Sequence, residues 1–285
     1  MIAVFGNPCQ ESHIAELREF LAMLASEGIE TVIHQEFGEW LLEFGVNLYS
    51  ARPVETLPER VDLLVSIGGD GTFLRSAEWL GGMPVAVLGI NTGHLGYLAG
   101  FTFAKPQEVR EAIVAGRFDK SERMMLEVES DYLPSGISRY ALNEVSVLKG
   151  DTSSMVDVIA TLGDDFLADY RGDGLLISTP TGSTAYNLSC GGPILEPELH
   201  NLIITPVAPH SLSIRPLVVG SDAPINLSMN SRGRHCNVAI DGRTFAVPAN
   251  GGSLTVRQAP FVLTVAMPPG KNFARVLREK LNWNE

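Results

Sequence analysis

The apolar residues follow one rhythm up to Gly116 and another beyond it. In the first stretch, short continuous apolar runs at Ile2–Phe5, Ile29–Ile33, Leu63–Ile67 and Val85–Ile90 alternate with segments whose apolar residues recur every three or four positions. Continuous runs rich in branched residues read as strands buried on both faces, and the longer period reads as amphipathic helix. Ile14, Leu17, Phe20, Leu21 and Leu24 make one such stripe, which Ser12 is placed to cap and Gly28 to end. Glu39–Phe44 reads as a helical turn, and Gly45–Glu59, with Pro53 and Pro58, as irregular. Phe73, Leu74, Ala77 and Leu80 predict a helix capped by Thr72, and Val109, Ala112, Ile113 and Val114 predict another between Pro106 and Gly116. Strands alternating with helices predict a parallel sheet with helical crossovers.

Beyond Gly116 strands follow strands. They are expected at Met124–Val128, Tyr140–Leu148, Met155–Leu162, Phe166–Tyr170, Gly174–Ser178, Leu202–Thr205, Leu217–Val219, Ile225–Met229, Asn237–Ile240, Phe245–Val247, Leu254–Arg257 and Phe261–Val265. Turns such as Gly163-Asp164-Asp165 and Asp241-Gly242 separate them, so a β-rich second domain is expected to begin near Gly116–Ser121. An amphipathic helix at Phe273–Leu281 follows the last strand.

With 285 residues, 45% hydrophobic and 19% charged, the chain can bury proper cores without a metal or disulfide staple. Its formal charge of −12 argues against nonspecific nucleic-acid binding and against an anionic membrane surface. Cys9, Cys190 and Cys236 are odd in number and in no ligand spacing, so they read as reduced thiols, with the cytoplasm as the expected compartment. No apolar run approaches the roughly 18 residues that a membrane span requires. The six histidines do not cluster in metal spacing, and Lys105, Lys120 and Lys149 read as solvated surface.

Three stretches carry candidate chemistry. Gly68, Gly69, Asp70 and Gly71 set one carboxylate among glycines at the carboxyl end of a strand, where open α/β sheets bind ligands. Glycines and the N–H groups opening the next helix suit a phosphate, which Asp70 would repel. An acid there would take a proton from a hydroxyl or hold a magnesium ion, unless it merely caps the helix. Asn143-Glu144 places an amide and a carboxylate side by side near the middle of an apolar strand, suited to ribose hydroxyls or to the solvated face of an edge strand. Arg171 to Pro193 is the longest polar and small-residue stretch, with Arg171 and Asp173 before a strand and a Thr, Gly and Ser-rich turn after it. Such a turn can read a base and a ribose, and Tyr186 adds a stacking surface; otherwise Ser183 or Thr184 simply caps a helix.

Together these stretches resemble the NAD kinase family. The resemblance is carried by Gly68-Gly69-Asp70-Gly71-Thr72, the Asn91 to Leu98 loop, Asn143-Glu144, and above all Asp173 to Tyr186 with Gly191-Gly192-Pro193; His210-Ser211-Leu212 with Arg215-Pro216 fits too. It implies an α/β Rossmann-like domain, a doubly wound parallel sheet over residues 1–117 to which the tail 268–285 returns, and a β-rich NAD-binding domain over 118–267. It implies transfer of the ATP γ-phosphate to the 2′-hydroxyl of the adenosine ribose of NAD, giving NADP and ADP. The divalent metal, magnesium, would be held mainly through ATP. By the same matching Asp70 is the proton acceptor, Asp70 and Gly71 contact NAD, and Gly68, Gly69 and Thr72 complete the phosphate-binding turn. Arg75 is a basic ligand contact, Asn143 and Glu144 hold ribose or base, and Asp173 with Arg171 lies along the dinucleotide. Thr184, Ala185, Tyr186, Asn187, Leu188 and Ser189 line its pocket, and Ser154 and Arg243 fall where relatives contact NAD through other residue types. A homodimer or homotetramer is expected. The competing readings are a non-catalytic NAD(P)-binding sensor, which could dispense with an acid at position 70, and a lipid or diacylglycerol kinase, for which the chain lacks a basic membrane-facing segment.

Overall fold

The computed structural model describes residues 1–93, 96–150 and 155–281. The chain separates into two units, Met1–Glu122 with Leu263–Glu285, and Arg123–Val262. These divisions lie about five residues from the expected 117/118 and 267/268.

The first unit holds the parallel strands β1 (Ile2–Gly6), β2 (Thr31–His34), β3 (Arg52–Val54), β4 (Leu63–Ile67) and β5 (Ala86–Asn91) in the order β3-β2-β1-β4-β5. A two-residue strand, β6 (Phe101–Thr102), pairs in parallel with the end of β5. Helices α1 (Ile14–Ser26), α2 (Gln35–Glu43) and α3 (Asp70–Leu80) make the crossovers, and α4 (Pro106–Val114) follows β6. Every residue of β1 and β4 is buried, as their unbroken apolar runs require. The chain runs from β1 out to β3 and returns to β4 on the other side. The carboxyl ends of β1 and β4 therefore flank the switch point of the sheet, the place where such folds open a crevice.

Ser12 caps nothing: Glu11–His13 form a 3-10 turn, and α1 starts at Ile14 with no side-chain cap. Thr72 lies inside α3, whose N-cap is Gly69. The helical turn at Glu39–Phe44 begins earlier, at Gln35, because Gly38 is tolerated within α2 where it faces Pro53. The irregular stretch contains β3, whose Pro53 is accommodated at the sheet edge.

The second unit is antiparallel. Its strands include β7 (Asp119–Glu129), β8 (Tyr140–Ala141), β9 (Glu144–Lys149), β10 (Val156–Leu162), β11 (Asp165–Gly172) and β12 (Gly174–Ser178). A short helix α5 (Tyr186–Ser189) precedes β13 (Asn201–Val207), β14 (Leu217–Gly220), β15 (Ile225–Ile240) and β16 (Arg243–Met267). The order is β14-β13-β12-β9-β15-β16, and β10 pairs with β11 and with the start of β15. Apolar residues from β7, β9, β10, β12, β13, β15 and β16 share one core.

The strands expected at Ile225–Met229 and Asn237–Ile240 are one strand, and the three expected between Phe245 and Val265 are also one. β15 and β16 pair on both sides of the intervening polar stretches, at Ile225–Asn230 with Asn250–Val256 and at His235–Ile240 with Arg243–Pro248, and the register shifts between Ser228 and His235. Conversely, the strand expected at Tyr140–Leu148 breaks at Leu142-Asn143. Past Val262 the end of β16 belongs to the first unit, where Val265 and Ala266 pair with Val87 and Leu88, and α6 (Phe273–Leu281) follows. Among the described residues no helix is long and apolar enough to cross a membrane.

Candidate active site

In the first unit, β4 ends at Ile67 and the glycine turn leads directly into α3. The Gly68 N–H donates to the Ile90 carbonyl at 2.9 Å, and Gln10 Nε2, buried, donates to the Ile67 carbonyl at 2.7 Å, so both sides of the strand end are held. Asp70 does not cap its own helix. Its Oδ2 accepts the Tyr97 N–H at 2.8 Å and its Oδ1 the Leu98 N–H at 3.1 Å. A carboxylate has about four acceptor positions, so these two bonds fix its orientation and leave capacity for a hydroxyl. Gly96 makes this approach possible: a Cβ there would lie 1.9 Å from Asp70 Oδ1. Gly69 and Gly71 face open space, whereas Thr72 is buried, with its hydroxyl side packed on Gly68.

Two cations stand near this turn in different ways. Arg75 places its guanidinium 6.0 Å from the centre of the Phe5 ring, in the cluster of Phe5, His34 and Trp79. Lys280 of α6, which the sequence reading passed over, lies 5.2 Å from the centre of the Tyr97 ring. Burial lowers the Lys280 pKa and the Asp70 charge opposes that shift, while burial and then Asp70 raise that of Tyr97. Among the described residues the buried Tyr97 hydroxyl has no hydrogen-bond partner.

In the second unit, Asn143 and Glu144 sit at the break between β8 and β9, not in mid-strand. The Asp241 carboxylate accepts the N–H groups of Leu142, Asn143 and Glu144 at 2.6, 2.9 and 3.0 Å. Thr179 donates its N–H to the Asn143 carbonyl at 2.9 Å and its hydroxyl to the Leu142 carbonyl at 2.6 Å. Gly182 is needed for the same packing, since a Cβ there would lie 2.1 Å from the Asn143 carbonyl oxygen. Glu144 Oε2 is out of solvent and has no hydrogen-bond partner among the described residues. Burial, then the neighbouring Asp241 charge, push its carboxyl up to about 8 against the Tyr186 N–H that bonds it.

The polar loop after β12 is a 3-10 turn, Thr181–Thr184, followed by the four-residue α5, and neither has a side-chain cap. Ser183 instead exchanges bonds with both backbone groups of Leu195. Asn187, expected to line the pocket, is wholly buried: its amide donates to the carbonyls of Ser183 and Pro193 at 3.0 Å each and accepts the Thr205 hydroxyl at 2.6 Å. Its side chain shapes the loop from behind. Thr184, Ala185 and Leu188 are half-buried, while Tyr186 and Ser189 are exposed. Before β12, Asp173 Oδ1 accepts a 2.6 Å bond from Lys149, which is therefore an ion-pair partner and not free surface. Arg171 lies 3.4 Å from Asp157. Arg243, exposed, opens β16 two residues after Asp241, and Ser154 falls outside the described residues. Among the described residues no three His, Cys, Asp or Glu side chains could hold a metal ion. A divalent ion at Asp70 would have to bring its other ligands with the phosphates of a nucleotide.

A carboxylate held in a glycine turn at the switch point of a parallel sheet, in a chain that also carries a buried acid beside a hydroxyl-rich loop, defines a phosphotransferase of nucleotide-like substrates. The comparisons with known proteins agree. The profile of the ATP-NAD kinase N-terminal domain matches residues 2–118, and that of the C-terminal domain matches residues 142–266. A NAD kinase of Porphyromonas gingivalis is 40% identical over 99% of this chain and 97% of its own length, and one of Cytophaga hutchinsonii is 35% identical over 99% and 98%. Among solved structures, yeast NADH kinase complexed with NADH superposes with a TM-score of 0.87 at 24% identity, over 100% of this chain and 88% of that one. An Archaeoglobus fulgidus NAD kinase in complex with ATP does so at 0.75 and 25%, over 98% of each. The chain belongs to the ATP-NAD kinase family, and its activity is that of a NAD kinase.

Proposed function

We propose that Asp70 is the base of the phosphoryl transfer and that the residues of the second unit hold NAD. The 2′-hydroxyl of the adenosine ribose gives its proton to Asp70 as its oxygen bonds to the γ-phosphorus of ATP; the bond from that phosphorus to the β–γ bridging oxygen breaks, and ADP leaves. The observation that carries this reading is the pair of N–H bonds from Tyr97 and Leu98, which hold the carboxylate where the glycine turn is open. Asn143 and Glu144 meet ribose or base, Asp173 and Arg171 lie along the dinucleotide, Thr184, Ala185, Tyr186, Leu188 and Ser189 line its path, and Ser154 and Arg243 fall at positions where relatives contact NAD through other residue types. Gly68, Gly69 and Gly71 admit phosphate, and Arg75 adds positive charge nearby. Magnesium, arriving with ATP, neutralises phosphate charge when bound. Most of the acceleration on the protein side is alignment of hydroxyl, acid and phosphorus.

The chain works in the cytoplasm, in keeping with three unpaired cysteines, and assembles as a dimer or tetramer, which sedimentation of the purified protein tests. Function is tested by NADP formation from NAD and Mg-ATP, beside the Asp70→Asn variant. Turnover is expected to vanish in the variant while NAD affinity stays within about tenfold. Full turnover in Asp70→Asn would remove Asp70 from the mechanism. Binding of NAD without turnover in either protein would favour a sensor.

A further inference from the structure

We infer that Asp241 is a positioning residue of the dinucleotide site: its carboxylate gathers the N–H groups of Leu142, Asn143 and Glu144 and so sets where the last two side chains point. This rests on the reading that Asn143 and Glu144 hold NAD.

Asp241 and Gly242 form the hairpin turn between β15 and β16, with φ of +45° and +84°. Asp-Gly suits such a turn for its backbone alone, and the turn asks nothing more of the side chain. Here the side chain does more. Oδ2 takes the Leu142 N–H, Oδ1 takes those of Asn143 and Glu144, and the Asp241 N–H returns a bond to the Glu144 carbonyl at 3.1 Å. Three successive backbone donors at a strand break would otherwise need other partners, and leaving them unpaired costs more than a hydrogen bond gains. Thr179 holds the carbonyls of Leu142 and Asn143, so the break is clamped through both its donors and its acceptors.

The Asp241 charge also faces Glu144. With burial, it keeps the Glu144 carboxyl protonated at neutral pH, a form that both donates to and accepts from a hydroxyl. Among the described residues the other groups that face Glu144 are the Tyr186 N–H, the Tyr186 phenol and the Cys190 thiol, and burial raises the pKa of the latter two, keeping them neutral as well.

The test is the pH dependence of the NAD KM in the whole enzyme, from pH 6 to 9, for the parent, Asp241→Asn and Glu144→Gln. The parent KM is expected to rise above a break near pH 8, where Glu144 ionises. Asp241→Asn is expected to raise the NAD KM about tenfold at pH 7, leave kcat within about threefold, and move the break to lower pH. A merely structural role would lower Tm and leave the break in place. Glu144→Gln is expected to abolish the break. If the break persists in Glu144→Gln, the reading of Glu144 as a NAD ligand fails. If it vanishes there while Asp241→Asn changes neither KM nor break, the proposal fails and the reading stands. Should Asp241→Asn not fold, Asp241→Glu decides: charge is kept and geometry lost, so KM rises with the break unmoved, and an unchanged KM overturns the proposal.

Discussion

Glu144→Gln should make the ligand-free protein more stable at neutral pH and no more stable in acid. In the unfolded chain the carboxyl ionises near 4.5, and in the fold it is pushed up to about 8, chiefly by burial and then by Asp241. Between those values the native state keeps a proton that the unfolded state gives up, so stability falls as pH rises and levels off above the folded value. Each pH unit in that window costs about 1.4 kcal/mol, so by pH 7 the parent has lost about 3 kcal/mol through this one group. Glutamine keeps the shape and carries no charge at any pH, so the variant escapes the loss. At pH 7 its transition should lie roughly 5–10 °C above the parent's in calorimetry, with the two proteins converging near pH 5. NAD is left out, because a ligand that bonds Glu144 would mask the difference. Parallel stability curves from pH 5 to 8 would refute the reasoning, since they would mean that Glu144 titrates normally in the fold.

Gly96→Ala should displace the Asp70 carboxylate, because the new Cβ would lie 1.9 Å from Oδ1; kcat is expected to fall by about 100-fold, and a loss below about threefold would mean the loop simply moves aside. Asn187→Ala removes three bonds from a wholly buried amide and should cost about 3 kcal/mol in denaturant unfolding; a cost under about 1 kcal/mol would show that the loop keeps its shape without it. Lys149→Met breaks a 2.6 Å ion pair whose Asp173 side chain is 41% exposed, so stability should change by less than about 1 kcal/mol and the change should shrink further in high salt.

The parallel half of the fold was legible because each strand is an unbroken apolar run and each helix a stripe of period 3.6, so burial and local pattern agree. The antiparallel half was legible only in outline. Ser231 to His235 and Asn250 to Gly252 read as gaps because their residues are polar, yet β15 and β16 run through them, with the two strands paired on either side. Strand continuity there is a property of the partner strand, which a one-dimensional pattern does not contain.

The candidate site divides along the same line. Asp70, Asn143, Glu144 and the loop from Thr181 could be singled out because polar groups amid glycines or apolar residues need a reason for being there. The groups that aim them could not. Asp241 looks like an ordinary hairpin residue and Lys149 like solvated surface, while Gly96 is one small residue in a loop. Their roles come from contacts across 97 to 99 residues for Asp241, 24 for Lys149, and from the approach of Gly96 to Asp70. Asn187 shows the converse. Its place in a polar loop suggests a ligand contact, while its fully buried amide has three partners inside the protein that hold that loop. Polar residue type thus marks where chemistry is possible, and the direction of each hydrogen bond decides whether a side chain meets the substrate or orients the one that does.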